Sequence, residues 1–411
     1  MAGMSQSKTN YRWVILVMVY ICMLVFAFTL QFLPPILPTI IANFKLSHAQ
    51  AGLLMSLFTL PSIFSAILAG LLSDRWGTYK IGLFSLFLVI TGTLTFALSR
   101  TFVLAGLGRT IAGAGAVTLT IVAAKILSQW FHGREVGSAM GIYNTAMPVG
   151  SIICFSTFGK LAASAGWRMP VFITAAVSLL GLMVFLFLYK SAPNLPQKEA
   201  PNKQEGKNIF SNVLHIAGLV WMAALCWLLF NAAVISFSTF APDFFISKGE
   251  TIGHAGFLTS LLMWGSLVLS PVIGRLIDKF NSNSIFIGVG GFVLAVSLVF
   301  VSRATSFIPP MAVMTVAVAF VPTPVFSYLS KNLPPKDLGV GFGILGMVSG
   351  MGMFFGPYLS GLIRDKTGSY ETTFLFLAAL SLLVTAAAVI FQIRAKKAKE
   401  AAAAKLFFPN I

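Results

Sequence analysis

Acidic side chains are scarce in this chain: 11 Asp and Glu stand against 28 Lys and Arg in 411 residues. Charged residues of both signs make up only 9%, where a soluble domain carries about 25%. That leaves too little polar surface to face water, so the solvent is mostly lipid. Cysteine is nearly missing as well. Cys22, Cys154 and Cys226 lie inside apolar runs without ligand-like spacing, and none of the four histidines forms a recognised metal pair. The sequence therefore implies no disulfide, no metal and no cofactor. No convergent His, Asp or Ser set stands near an interface, which disfavours a lipid-modifying enzyme. No soluble signalling domain is present, which disfavours a membrane sensor. The basic residues sit singly between apolar runs, so the net charge of +17 does not mark a nucleic-acid surface and serves topology instead.

What is present is apolar length: 57% hydrophobic residues and a mean hydropathy of +0.89. Lys8 and Arg12 precede an apolar run from Trp13 to about Ile41, too long for a cleaved signal, so it reads as a first span that stays. At roughly 20 apolar residues per crossing, spans 1 to 6 fall near 13–40, 49–72, 80–99, 101–124, 136–158 and 167–189. Spans 7 to 12 fall near 213–241, 254–275, 284–302, 306–329, 339–361 and 371–393. The expected fold is an all-α membrane protein of twelve helices in two pseudo-symmetric six-helix bundles, residues 1–189 and 213–393. A polar linker, 190–212, joins them, and a basic tail, 394–411, follows and is expected to lie along the anionic leaflet. Counting Lys and Arg by side gives 18 with the termini and linker against 8 on the other, so both termini are expected in the cytoplasm of a bacterial inner-membrane protein.

An internal repeat supports the two halves. At an offset of 204, Pro38 meets Pro242, Ala51-Gly52 meets Ala255-Gly256, and Asp74-Arg75 meets Asp278-Lys279. At 202, Gly137 and Gly141 meet Gly339 and Gly343, and Phe172 meets Phe374. Parallel repeats of this kind place a substrate site between the halves near the bilayer midplane.

The run Gly70-Leu-Leu-Ser-Asp74-Arg75-Trp-Gly77 resembles the loop 2–3 signature of the major facilitator superfamily. Gly274-Arg-Leu-Ile-Asp278-Lys279 looks like its degenerate copy. Arg109-Thr-Ile-Ala-Gly113-Ala-Gly115 resembles the span-4 signature, and the overall look is that of the cyanate, nitrate and monocarboxylate-type porters. Thr78, Tyr79 and Ala112 depart from the usual motif residues, and Met147-Pro148-Val-Gly150 departs from the drug-antiporter pattern in span 5. The resemblance implies alternating access. It also implies a conformational latch at Gly70, Asp74, Arg75, Gly77, Asp278 and Lys279, with Asp74 capping a helix N-terminus and pairing with Arg75.

Arg109 lies inside span 4, and its repeat equivalents Met311 and Val313 are apolar. A charge inside a span costs at least about 2.5 kcal/mol. Two readings stand: an anion-binding or coupling group facing a central cavity, or a structural arginine bonded to carbonyls and hydroxyls of neighbouring spans. Lys125 is expected to snorkel to the interface. No acidic residue falls near the midplane, and Asp243 sits at the outer end of span 7. Candidate neutral partners for substrate are Tyr20 and Gln31 on span 1, Tyr143 and Asn144 on span 5, and Asn231 on span 7. Bends are expected at Pro61, Pro148, Pro322 and Pro324 and at Gly346, Gly350 and Gly352. The expected activity is secondary transport of a small organic or inorganic anion by proton symport or anion exchange, in a monomer that binds membrane lipids. The alternative is efflux of neutral or lipophilic compounds.

Overall fold

The computed structural model describes residues 2–131, 135–192, 218–280, 282–333 and 338–407, without the side chains of 2–10, 65–67, 278, 338–339 and 398–407. The linker beyond residue 192 lies outside these, as do Arg134, His215 and the last four residues of the tail. Among the described residues, eleven helices are long and apolar enough to cross a membrane. The pair His48–Phe64 and Leu68–Trp76, bent by 59°, makes the twelfth when taken as one span. Helices are what lipid demands, because only internal hydrogen bonding satisfies the backbone where water is missing.

The proline expectations divide. Span 1 breaks at Phe32, between Ala2–Gln31 and Leu33–Phe44; span 2 bends near Pro61; span 10 breaks at Val321, just before Pro322. Pro148 and Gly346 to Gly352 do not break their helices, Glu135–Ala165 and Leu338–Thr367.

Spans 1 to 6 form one bundle and spans 7 to 12 the other. Within the first, spans 3 and 4 touch by backbone. A Cβ added at Gly92 or Gly108 would overlap the other helix, and one at Gly115 would overlap the Ser85 carbonyl. Gly113 backs onto the Phe58 carbonyl of span 2 in the same way. The span-4 motif glycines are thus packing positions, the close approach that lets helices associate in lipid.

The halves meet along two arms, span 2 with span 11 and span 5 with span 8, and also where span 7 packs on Leu33–Phe44 of span 1. Gly52 lies against the Pro357 carbonyl and Gly361 against the His48 carbonyl. On the other arm Gly256 lies against the Phe155 carbonyl and Gly159 against the Ile252 side chain. Gly52 and Gly256 are repeat equivalents, as are Phe155 and Pro357, so one contact is made twice about the pseudo-twofold. All these residues stand toward the face opposite the N-terminus, the distal face. Toward the terminal face, a Cβ added at Gly70, Gly137, Gly141 or Gly343 meets nothing. The protein is closed at its distal face and parted at its terminal face.

Candidate substrate site and gate

The break in span 1 has a chemical cause. In an unbroken helix the Leu30 and Gln31 carbonyls would accept from the N–H groups four residues on, but those residues are Pro34 and Pro35. Arg109 donates to one of these, the Leu30 carbonyl, and to two other carbonyls nearby. Its Nη1 donates to the Thr29 carbonyl at 2.6 Å, its Nη2 to the Leu30 carbonyl at 3.4 Å, and its Nε to the Leu54 carbonyl of span 2 at 3.1 Å. Its guanidinium lies 4.9 and 4.6 Å from the Phe32 and Phe58 ring centroids. The side chain is fully buried. In this conformation the Arg109 guanidinium is bonded to backbone carbonyls and lies between two aromatic rings. It braces spans 1, 2 and 4 within one half, and of its three carbonyl acceptors the Leu30 carbonyl is one that a proline frees. No carboxylate is paired with it among the described residues.

Beside those carbonyls stands Gln31. It is fully buried, and neither its Oε1 nor its Nε2 has a hydrogen-bond partner. A buried polar group left unsatisfied costs about 1–3 kcal/mol, so such a group in a native fold calls for an explanation. Span 1 runs from Tyr11 to Phe44, so at about 1.5 Å per residue Gln31 lies within roughly 5 Å of its middle.

The other candidates differ in their surroundings. Tyr143 donates its hydroxyl to the Thr120 carbonyl at 3.2 Å, cross-linking spans 5 and 4. Asn231 donates to the Trp227 carbonyl of its own helix at 2.7 Å. Tyr20 is half-buried and Asn144 exposed. No hydrogen bond joins any two of Tyr20, Gln31, Tyr143, Asn144 and Asn231 among the described residues.

At the terminal face, Asp74 neither caps a helix nor pairs with Arg75. Gly77, with φ of 83°, is the N-cap of Thr78–Ala97 and receives no side-chain bond. Asp74 instead accepts from Lys125 Nζ at 2.6 Å, and the same ammonium donates to Ser73 at 2.9 Å. Lys125 does more than snorkel: it holds Asp74 inside its own half. Arg75 is exposed, Lys279 lies 5.7 Å from the Phe280 ring centroid, and the Asp278 side chain is outside the described residues. A Cβ added at Gly70 would meet nothing within 4 Å in this conformation.

A second cluster escaped the sequence reading. His48 opens the helix His48–Thr59 at the distal face, where Ser47 and Gln50 form a capping box. The His48 and Ala49 N–H groups both donate to the Asp365 carboxylate at 2.8 Å, so an acid of span 11 caps span 2 across the halves. His48 Nδ1 lies 3.1 Å from Asp365, and Nε2 lies 3.4 Å from Asp243 of span 7. The Tyr370 hydroxyl also donates to Asp243, and Arg364 stands 4.6 Å from the Tyr370 ring centroid. The available signal was the repeat, in which His48 falls on Ile252.

A bundle of twelve spans, halved by a repeat, with a span-4 arginine and loop 2–3 motif in place, finds its counterpart among known families. The sequence profile described as Major Facilitator Superfamily matches residues 19–253 and 245–409. The chain belongs to the Major Facilitator Superfamily. It is similar to a lysosomal dipeptide transporter, MFSD1, of Danio rerio, 24% identical over 401 residues, 92% of this chain and 86% of that protein. It is also similar to a hexuronate transporter of Bacillus subtilis, 22% identical over 379 residues, 86% of this chain and 88% of that one. Among solved structures, a bacterial homolog of the human lysosomal transporter Spinster, in an inward-facing and occupied conformation, superposes with a TM-score of 0.77. That match is 17% identical and covers 94% of this chain and 97% of the other. This major facilitator protein is a many-span membrane transporter of small molecules and not an enzyme.

Proposed function

We propose that this transporter carries a small organic anion across a bacterial inner membrane by rocker-switch alternating access. The 18-to-8 distribution of basic residues supports cytoplasmic termini and hence an external distal face, shut in this conformation. The observation that carries the substrate reading is the unpartnered, buried amide of Gln31 beside the carbonyls that Arg109 holds. Arg109 brings a guanidinium to that neighbourhood. With no paired carboxylate among the described residues, its positive field reaches through low-dielectric surroundings to the neighbouring site. An anion taking the Gln31 Nε2 donor would satisfy that group and meet the field without touching the guanidinium. Tyr20, Asn144 and Asn231 are the proposed neutral contacts on the other elements, with Tyr143 positioning span 5. The hexuronate and dipeptide named for its relatives both carry carboxylates, in keeping with this substrate class. Coupling is proton symport or anion exchange. The latch at Gly70, Asp74, Arg75, Gly77, Asp278 and Lys279 closes the cytoplasmic side in the opposite conformation.

The test is a binding and uptake panel of sugar acids, short carboxylates and sulfonates, with neutral sugars and lipophilic cations as comparison. At least one anion is expected to raise the melting temperature and to enter proteoliposomes. Gln31→Leu is expected to weaken that binding at least about tenfold, the scale of a hydrogen bond to a charged group. It should not lower the melting temperature, since it removes an unsatisfied amide. Binding confined to neutral or cationic compounds, or unchanged anion affinity in Gln31→Leu, overturns the proposal.

A further inference from the structure

We propose that His48, seated between Asp243 and Asp365, is a proton-binding site that fastens the external closure, so that acid outside the cell favours the externally shut state. The inference rests on the alternating-access reading above and adds to it a ligand, the proton, at a place distinct from the midplane.

The geometry selects the imidazolium. Both ring nitrogens face carboxylate oxygens, Nδ1 at 3.1 Å from Asp365 and Nε2 at 3.4 Å from Asp243. A neutral imidazole has one N–H and one lone pair, so one of these contacts would set a lone pair against a carboxylate. Only the doubly protonated ring donates to both. Charge agrees: Asp243 and Asp365 face His48 and Arg364, and this group of four is neutral only with His48 protonated.

The surrounding charges follow from the packed elements. From span 7 His48 meets Asp243, from span 11 Asp365 and Arg364, and from span 12 the hydroxyl of Tyr370, which is engaged with Asp243. Glu371 is turned to Arg303, its oxygen 2.7 Å from Nε. On its own helix His48 meets the capping residues Ser47 and Gln50, which carry no charge. Arg364 is the cation that opposes protonation. The side chains of His48, Asp243 and Asp365 are 23%, 20% and 26% exposed, so protons from the external water reach them.

Symmetry shows that packing alone does not require these charges. The repeat equivalents of His48, Asp365 and Asp243 are Ile252, Ala163 and Thr39. On that arm Ile252 closes over Gly159 as His48 closes over Gly361, with no ion pair between the equivalent residues. At these positions one arm closes by shape, and the His254–Glu250 pair beside it lies within a single half; the other arm adds a titratable group held by acids of the opposite half.

The sign follows from linkage. The hydrogen bond that the ring donates to Asp243 raises the pKa of His48 above the ordinary histidine value; burial opposes it, and Asp365 adds to the rise. Asp365 is disfavoured as an anion by burial, but the Ala49 and His48 N–H groups and the Ser47 and His48 side chains outweigh this and hold its carboxyl low. Opening the external face withdraws both carboxylates and returns His48 to about 6.5. The shut state therefore has its full advantage below about pH 6.5 and loses it as pH rises through the raised value. Because the site opens on the external side, the proton enters and leaves there. It sets the balance of states without being carried across.

The test uses the full chain in nanodiscs, with spin labels at positions 100 and 306, exposed distal-face residues on different halves. Both faces then see one pH and no transport is read, so failure of the substrate reading leaves this measurement intact. In otherwise wild-type protein the shut-to-open ratio should fall between pH 6 and pH 9 by up to about tenfold per unit of pKa difference. His48→Gln should give a ratio flat with pH, and Asp243→Asn should move the midpoint to lower pH. His48→Arg, which keeps a charge and two donor directions, should stay shut across the range and shows that the arm still assembles. A pH-independent wild-type distribution, or an undiminished pH response in His48→Gln, overturns the proposal.

Discussion

Lys125 holds Asp74 within the first half, its Nζ 2.6 Å from the Asp74 carboxylate, while the terminal face stands parted. The residue that the loop signature assigns to closing this face is occupied by an intra-half partner in the conformation that does not use it. Lys125→Gln should release Asp74 and move the population toward the cytoplasm-shut state. Asp74→Asn should impair transport and favour the cytoplasm-open state. Both should change stability by less than about 1 kcal/mol, because the pair is exposed. Cysteine accessibility at the cytoplasmic mouth reads the direction; equal labelling of both variants and wild type would sink the latch.

Arg109 should prove costly to remove. Its guanidinium serves three carbonyls and two aromatic faces, so Arg109→Gln should lose about 3 kcal/mol or more of stability. Arg109→Lys keeps the charge but not the planar fork, and should fall between the two. Thermal unfolding in detergent without substrate checks this. A normal melting temperature for Arg109→Gln would contradict the bracing role.

The glycine arms should respond alike. A Cβ at Gly52 or Gly256 overlaps a backbone carbonyl, which no side-chain rotation relieves. Gly52→Ala and Gly256→Ala should each disfavour the externally shut state by about 1–3 kcal/mol. The spin-label pair at 100 and 306 should then report a longer distance in both. A change in one alone would show that the arms do not share the contact equally.

Orientation has its own check. A cysteine at position 248, exposed at the distal face, should react with an impermeant maleimide in intact cells, and one at position 203 should not. Strong labelling at 203 would reverse the sidedness and with it the direction of the His48 gate.

Much of the fold was legible because lipid writes a simple code. Uninterrupted apolar length marks a span, and the repeat marks the halves, so span 4 and its glycines fell where expected. The repeat also singled out Gly52 and Gly256, although not the carbonyls they meet, since contacts with residues so distant in the chain leave no local period. Pro34-Pro35 follows the break in span 1, whereas Pro148 lies inside an unbroken helix, Glu135–Ala165, so a proline in the sequence does not by itself fix where a helix ends. Arg109 could be read two ways because sequence shows a buried charge but not which acceptors surround it. His48 was passed over since a lone histidine at a span end carries no spacing signal; its meaning comes from acids more than 190 residues away.

The twice-made contact between glycine and the opposite half follows a symmetry. Gly52 meets Pro357 and Gly256 meets Phe155, which is residue i on j and then j on i across a twofold axis. That reciprocity is the mark of an isologous dimer interface. A six-helix unit bearing this surface could pair with a second copy of itself. A homodimer would carry any titratable group on both arms or on neither. In a single chain the two arms are free to differ, and one of them holds a histidine between two acids.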